Sequence, residues 1–579
     1  MGASAMALNC APASPSAPPT GAAGNGSGSG SAGSSGTAGS TGQGAAGTST
    51  TGEGTAGTST TGQGTAGTTE QGTAGAGGPG TAGAGGPGAA GAGAGGATGT
   101  AGTSAGGWKN YEYSGTWPNQ PIAIKTVAGG KLTYTKIIIH SRFLAESCSI
   151  GDYNNDGVPD ISSGRRWWPG PFTPGYNGAM MEHIYRGGHD DLPRSGAGSG
   201  GSCTDEINSG VSDDWSDFPY DMDGDGLTDI INIANCDTPE NCNPSPKPAP
   251  QPHATAYWYK NPGPGSTAMW TGTLMNSDVR LEQHGFGDVD GDGKPEIYGA
   301  CKNCTPAQTK GYYKGDWAHP TMGWTYVPVT THYNFPFNGT GWLHGEGLGD
   351  IDKDGKADLL ERGGAWISAN STTPNVTVCP GAGCGWVKTQ LYDGDPGENR
   401  GPSHMYAADM DGDGDMDIVA TDWAHGWGLA WYEQTQPLTF VKHQIYATNS
   451  TADQTKYGSV FFSEGHAMQV MDMNGDGIPD IVIGKMRFAH PLSYGDPDPM
   501  GVPYSYVLET KHTPAAATGA LGAGGPISFV PHEIDPVPDP ATGIKSGVGR
   551  QIAVGHINTD GIPDICVSSK LGLFVFLGQ

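Results

Sequence analysis

Histidine is scarce enough in this chain for its placement to carry information. Four of the sixteen, His284, His344, His404 and His466, stand four to six residues ahead of a short acidic segment. The matching positions ahead of the other acidic segments hold Glu146, Trp215 and Arg550. A neutral imidazole exchanges protons near neutral pH, and three that converge can hold a divalent metal with an open coordination position. His344, His404, His466 and Arg550 are therefore the candidate catalytic residues, and a further divalent metal among the three imidazoles is a candidate cofactor. A second set follows the next strand of each unit: Arg165, Arg362, His425, Lys485 and Arg487. With Glu146, Trp215 and His284 it forms the candidate substrate-binding set. Arginine pairs bidentately with carboxylates, and Trp167, Trp168, Trp366, Trp423 and Trp427 offer faces on which a sugar ring can stack. The plainer alternatives are a polar lining that binds trapped water and a solvated rim where strands end.

The acidic segments have the form D-x-[DN]-x-D-G-x-x-[DE] and begin at Asp152, Asp221, Asp288, Asp350, Asp409 and Asp472, with a decayed seventh at His556. The intervals are 69, 67, 62, 59, 63 and 84 residues. Oxygen donors at alternate positions, with a glycine for the sharp turn, suit a hard cation such as calcium. The expected ligands are Asp152, Asn154, Asp156 and Asp160; Asp221, Asp223, Asp225 and Asp229; Asp288, Asp290, Asp292 and Glu296; Asp350, Asp352, Asp354 and Asp358. The set continues with Asp409, Asp411, Asp413 and Asp417; Asp472, Asn474, Asp476 and Asp480; and Asn558, Asp560 and Asp564. About six or seven structural Ca2+ ions follow, with the seventh loop the weakest. These are not EF-hands. The closing acid falls at position 9, and only the fourth copy has a glutamate at position 12, Glu361.

A motif recurring at a long, near-constant interval marks a repeat architecture. The flanks are β-branched and alternate, as in Asp417-Ile-Val-Ala-Thr and Asp480-Ile-Val-Ile-Gly. Each interval also carries an aromatic strand such as Leu429–Tyr432 and a fourth segment, as in Phe440–Ile445 and Phe529–Ile534. Four strands in each of seven units predict an all-β, seven-bladed β-propeller. Tyr134–Ile139 has the fourth-strand pattern but no preceding unit, while the last unit supplies only second and third strands after its loop. The N-terminal strand is thus expected to complete the last blade and close the ring, removing exposed sheet edges.

On these residues the repeats resemble the FG-GAP/VCBS repeat family, whose propellers carry calcium between the first two strands of a blade. The resemblance implies that first strands line the central channel, which places the histidine register at the funnel mouth, opposite the acidic loops. His404-Met-Tyr-Ala-Ala-Asp409 with Ala430-Trp-Tyr-Glu433 is similar, locally, to the propeller domain of aldos-2-ulose dehydratases, which eliminate water from keto-sugars. The implied function is an exported carbohydrate-active enzyme, a lyase or dehydratase acting on an acidic or keto sugar. In such an enzyme a cation polarises the carboxyl or keto group and a His or Tyr removes the adjacent proton. The alternative is a non-catalytic surface module for adhesion or for binding a glycan or protein.

Composition fits an exported protein. The formal charge is −28, much of it inside the proposed ligand loops, and no basic stripe is available for nucleic acid. No apolar run is long enough for a transmembrane helix. Residues 1–10 resemble the tail of a bacterial lipoprotein signal, with Cys10 as the expected lipid anchor and an ordinary disordered terminus as the alternative. Residues 11–107 are a Gly/Ala/Ser/Thr linker that cannot bury a core, expected to span roughly 50–60 Å as a random coil. The propeller is placed at residues 108–579. Close cysteine pairs at Cys236/Cys242, Cys301/Cys304 and Cys379/Cys384 predict small-loop disulfides, with Cys148, Cys203 and Cys566 standing apart.

Overall fold

The acidic loop is built the same way at each copy. The glycine at its sixth position, Gly157, Gly226, Gly293, Gly355, Gly414, Gly477 and Gly561, has φ between 83° and 94°, a left-handed conformation that a β-carbon would strain. In the six intact copies its N–H donates to the first aspartate, as from Gly226 to Asp221 at 2.9 Å and from Gly477 to Asp472 at 2.9 Å. The ninth-position acid accepts the N–H of the second residue, as Asp229 does from Met222 at 3.1 Å and Asp564 from Ile557 at 2.8 Å. Its other oxygen often takes an N–H from the end of the third strand: Asn261 to Asp229, Gln434 to Asp417, Thr510 to Asp480. The acid thereby ties three strands of one sheet together.

The structure, a computed structural model, describes residues 132–579 except 188–213, 235–254, 302–308, 317–323, 330–343, 369–376, 379–385, 391–400, 513–519 and several shorter stretches. The chain divides into two units, Met1–Gly91 and Ala92–Gln579, and all described residues lie in the second. The expected anchor, the whole of the expected linker and residues 108–131 lie outside the described residues.

Seven small antiparallel sheets form among the described residues, in a β-propeller arrangement. The first joins β2 (Ser149–Gly151), β3 (Asp160–Ser163), β4 (Arg166–Trp168) and β5 (His183–Ile184). The second joins β6 (Asp214–Tyr220) to β9 (Thr271–Asn276), and the third β10 (Gly285–Gly287) to β13 (Thr325–Pro328). The fourth has five strands, from β14 (Glu346–Gly349) to β18 (Trp386–Gln390). In the fifth, β19 (Met405–Ala408), β20 (Asp417–Thr421), β21 (Leu429–Gln436) and β22 (Thr439–Tyr446) lie in order. The sixth runs from β23 (Ala467–Met471) through β24 (Asp480–Gly484) and β25 (Ser505–Lys511) to β26 (Ser528–Glu533). In the seventh, β27 (Ile552–Gly555), β28 (Asp564–Ser569) and β29 (Gly572–Gly578) are completed by β1 (Tyr134–His140), which pairs antiparallel with β29.

The first strands are short and almost wholly buried, and they touch from sheet to sheet: β10 meets β14, β14 meets β19, β19 meets β23, and β23 meets β27. β2 touches both β6 and β27, so the first and last sheets are neighbours. Close approach explains the glycines here. A β-carbon on Gly347 would lie 1.8 Å from the carbonyl oxygen of Met405. The core fills the space between sheets, as where Phe218 stacks on Phe286 at 4.9 Å.

Two of the cysteines that stand apart in the sequence are joined to each other. Cys148, just ahead of β2, is bonded to Cys566 on β28, a link across 418 residues that staples the first sheet to the last. Sequence spacing could not pair these two, because the ring brings together segments that are remote in the chain. Cys301 is also disulfide-bonded. Cys203, Cys236, Cys242, Cys304, Cys379 and Cys384 lie outside the described residues.

Candidate metal centre

Six positions ahead of each loop stand Glu146, Trp215, Glu282, His344, Ser403, His466 and Arg550. Six of these seven form one network. The Arg550 guanidinium lies over the Trp215 ring at 4.4 Å, with Nε 3.4 Å from Glu146 Oε2 and Nη2 3.6 Å from Glu282 Oε2. Glu282 Oε2 in turn lies 3.4 Å from His344 Nε2 and 3.6 Å from His466 Nε2. Lys570 approaches the other oxygen of Glu146 at 3.5 Å.

The fifth sheet supplies only Ser403 at this level, hydrogen-bonded to Thr421 and to the carbonyl of Gly465. Its imidazole comes from the loop between β20 and β21. There His425 places Nε2 2.7 Å from His344 Nε2, and its ring is 5.1 Å from that of His466. The loop is held by backbone bonds from Ala424 to Gly401 at 2.8 Å and from Glu464 to Gly426 at 2.8 Å. A β-carbon on Gly426 would lie 1.7 Å from the Trp423 ring, so a glycine is needed beside this tryptophan. Trp423 and Trp427, both half-buried, flank His425.

Glu282, His344, His425 and His466 each offer a donor atom, all within 4.8 Å of one another. With metal–nitrogen bonds of about 2.0–2.1 Å, the donors of a tetrahedral site stand about 3.3 Å apart. The observed separations of 2.7, 3.4 and 3.6 Å bracket that edge. Glu282 Oε2 is buried and has no hydrogen-bond partner, as expected of an atom whose partner is a cation. Imidazoles with one carboxylate suit zinc or another first-row divalent ion. The residues therefore fit such an ion.

Of the three expected converging histidines, the structure brings together His344 and His466 but not His404. His404 stands five positions ahead of its loop and lies outside the cluster, its ring 5.8 Å from that of Tyr406. Burial pushes its imidazole down to about 4. His284 is likewise outside the cluster; its Nδ1 is 3.0 Å from Ser216 Oγ, and burial pushes it down to about 3. Arg550 and Lys485 are present but turned inward. Lys485 is buried, donates to Ser463 Oγ at 2.8 Å and lies 3.9 Å from Glu464, and burial lowers its ammonium. Arg165 and Arg487 are half-buried, and Arg362 lies outside the described residues. Glu282 was missed in the sequence, although a strict six-residue register finds it and rejects His404.

The acidic loops also gather oxygens. Asp221/Asp223/Asp225, Asp288/Asp290/Glu296, Asp350/Asp352/Asp358 and Asp409/Asp411/Asp417 each bring donors within 4.8 Å. Asp290 Oδ1 and Glu296 Oε1 are buried without hydrogen-bond partners, so the third loop fits a cation well. Burial pushes Asp160, Glu296 and Asp417 up to about 8, a cost that a bound cation would offset. In two loops a lysine from the end of the third strand already sits on the carboxylates. Lys260 bonds Asp223 and, at 2.9 Å, Asp225; Lys314 bonds Asp290 and, at 2.8 Å, Asp292. Glu433 and Glu509 occupy the same place in the fifth and sixth sheets, one residue ahead of Gln434 and Thr510. In the seventh loop the His556 ring faces the Ile562 carbonyl at 3.1 Å.

Residues 221–299 and 409–483 match the FG-GAP-like repeat, so the chain carries FG-GAP-like repeats. Among solved structures, the Bacillus licheniformis rhamnogalacturonan lyase PL11 is similar at 13% identity and a TM-score of 0.31, over 81% of this chain and 76% of that one. The rhamnogalacturonan lyase YesW is similar at 11% identity and a TM-score of 0.33, over 78% and 74%. The V. cholerae biofilm matrix protein Bap1 is similar at 10% identity and a TM-score of 0.26, over 82% and 84%. At these scores the likenesses carry no argument about the site. No curated protein matches the chain. No helix among the described residues is long and apolar enough to cross a membrane.

Proposed function

We propose that this is an exported, metal-dependent carbohydrate-active enzyme, a lyase or dehydratase acting on an acidic or keto sugar. The observation that carries the reading is the convergence of Glu282, His344, His425 and His466 within 4.8 Å. A divalent ion bound there would polarise a carboxyl or keto oxygen and so acidify the adjacent C–H. The chain's own residues do the rest. Arg550, fixed between Trp215 and Glu146, holds Glu282 in place. His344, whose side chain is 14% exposed, is the member of the cluster most open to solvent. Trp423 and Trp427, each two residues from His425 in the chain and half-buried, offer aromatic faces for a pyranose. Calcium in the acidic loops would hold the sheets that present these groups.

The near-closure of the cluster favours a second reading, in which the ion is structural and the protein is a surface module that binds glycan. The test is elemental analysis of the purified protein, followed by turnover of uronate-containing and keto-sugar substrates read as ultraviolet absorbance of the unsaturated product. Turnover that disappears in His344→Ala, with melting unchanged, supports the enzyme. A metal-loaded protein that binds such glycans without ever turning them over leaves the binding module.

A further inference from the structure

The four donors of the centre are not equivalent, and one glutamine decides which is which. Gln283 bridges two of the imidazoles. Its Nε2 lies 3.0 Å from His466 Nδ1 and 3.4 Å from the His466 carbonyl oxygen, and its Oε1 lies 3.1 Å from His344 Nδ1. A carbonyl oxygen only accepts, so the amide NH2 is the end that faces His466. The NH2 has no acceptor to offer, so His466 Nδ1 must accept, and a neutral His466 carries its proton on Nε2. The amide oxygen only accepts, so His344 Nδ1 carries the proton there, and His344 Nε2 presents a lone pair. The two rings are therefore opposite tautomers. A metal-ligating histidine ordinarily donates its remote N–H to an acceptor. His344 meets that condition and His466 does not. His425 Nε2 lies 2.7 Å from the His344 Nε2 lone pair, so in the metal-free protein His425 donates there, and an ion between the two rings would take the place of that proton; His425 Nδ1 lies 3.9 Å from Asp496 Oδ2.

Resting on the metal-centre reading above, we infer that the ion is held by His344, His425 and Glu282, while His466 is kept by Gln283 as a hydrogen-bond donor beside it. Two imidazoles and one carboxylate leave open coordination positions. His466 Nε2 lies 3.6 Å from Glu282 Oε2, so its N–H stands beside the carboxylate, within reach of an oxygen in the adjacent position. The site thus pairs an open metal face with a fixed N–H donor, an arrangement suited to an oxygen that gains negative charge. Gln283 is a positioning residue: it acts only through the two rings.

The full chain, saturated with calcium, is titrated with Zn2+ by calorimetry, and with Co2+ for its visible spectrum. His344→Ala, His425→Ala and Glu282→Gln are each expected to weaken Zn2+ binding by at least about 100-fold, and His466→Gln by less than about fivefold. Gln283→Glu offers acceptors to both rings, so His466 should switch tautomer and add a nitrogen to Co2+, changing the spectrum. Nitrogen-15 spectra of the metal-free wild type, which need no variant, should show the proton on Nδ1 of His344 and on Nε2 of His466. An equal loss of Zn2+ affinity in His466→Gln and His344→Ala, or the same tautomer in both rings, overturns this inference alone. A wild type that takes up no Zn2+ beyond the calcium loops overturns the metal-centre reading, and the inference falls with it.

Discussion

Reducing the Cys148–Cys566 disulfide should cost more stability than any other single bond in the ring. Both cysteines are fully buried, and the bond closes 418 residues of chain. A cross-link removes conformational freedom chiefly from the unfolded chain, and for a loop of 418 residues the chain-entropy estimate is about 6 kcal/mol at 25 °C. Measured values usually fall below that estimate, so a loss of about 4–6 kcal/mol is expected. Denaturant unfolding in excess calcium measures it, comparing oxidised protein, reduced protein and the Cys148→Ala/Cys566→Ala variant. Reduction also opens the Cys301 disulfide, so the reduced wild type sets the upper bound of the loss and the double variant isolates the Cys148–Cys566 bond. The slope with denaturant should rise, because the uncross-linked chain exposes more surface. The bond also closes the seam at which the N–H groups of Arg550 and Gln551 donate to the Glu146 carbonyl at 2.8 and 3.1 Å. Loosening it should therefore weaken Zn2+ binding through the Arg550–Glu282 contact. A stability loss under about 1 kcal/mol on reduction would refute the chain-entropy reasoning.

Calcium removal by EGTA should lower the melting temperature by more than about 10 °C, since each ion binds the folded loops in preference to the unfolded chain; an unchanged melting curve would count against calcium in the loops. Lys260→Gln and Lys314→Gln should each tighten calcium binding at one loop by about tenfold, because the ammonium occupies carboxylates the ion needs; isothermal titration reads the change. His404 has a folded-state pKa of about 4, below its ordinary 6.5. The unfolded chain binds the proton first as pH falls, so this group's stabilisation is complete above pH 6.5 and is lost towards pH 4. At pH 5 the loss is about 2 kcal/mol, and His404→Asn should remove it, as pH-dependent unfolding would show. Deleting residues 11–100 should leave unfolding unchanged. Deleting through Ile139 should cost about 3–6 kcal/mol, because Ile137 and Ile139 of β1 are buried in the last sheet; equal behaviour of the two truncations would refute the closing role of β1.

Local chemistry was legible in the chain itself. The glycine at position 6 of each loop, the alternating β-branched flanks and the ninth-position acid are contacts between near neighbours, and a repeated motif records them. The closing role of Tyr134–His140 was legible too, because a count of strands left one segment over and one sheet short. The six-residue register is also a sequence property, and Glu282, His344, His466 and Arg550 all obey it. His404, five positions ahead of its loop, departs from that register and lies outside the cluster. Three things needed the tertiary structure. His425 reaches the centre from a loop, whose path is set by Gly426, Trp423 and the neighbouring sheet, and by no periodicity. Gln283 acts because two rings from separate sheets lie on either side of its amide. Cys148 meets Cys566 because ring closure makes the first and last sheets neighbours. Sequence spacing reports contacts within a repeat; where the partners come from different repeats, only the packing of the sheets sets their distance.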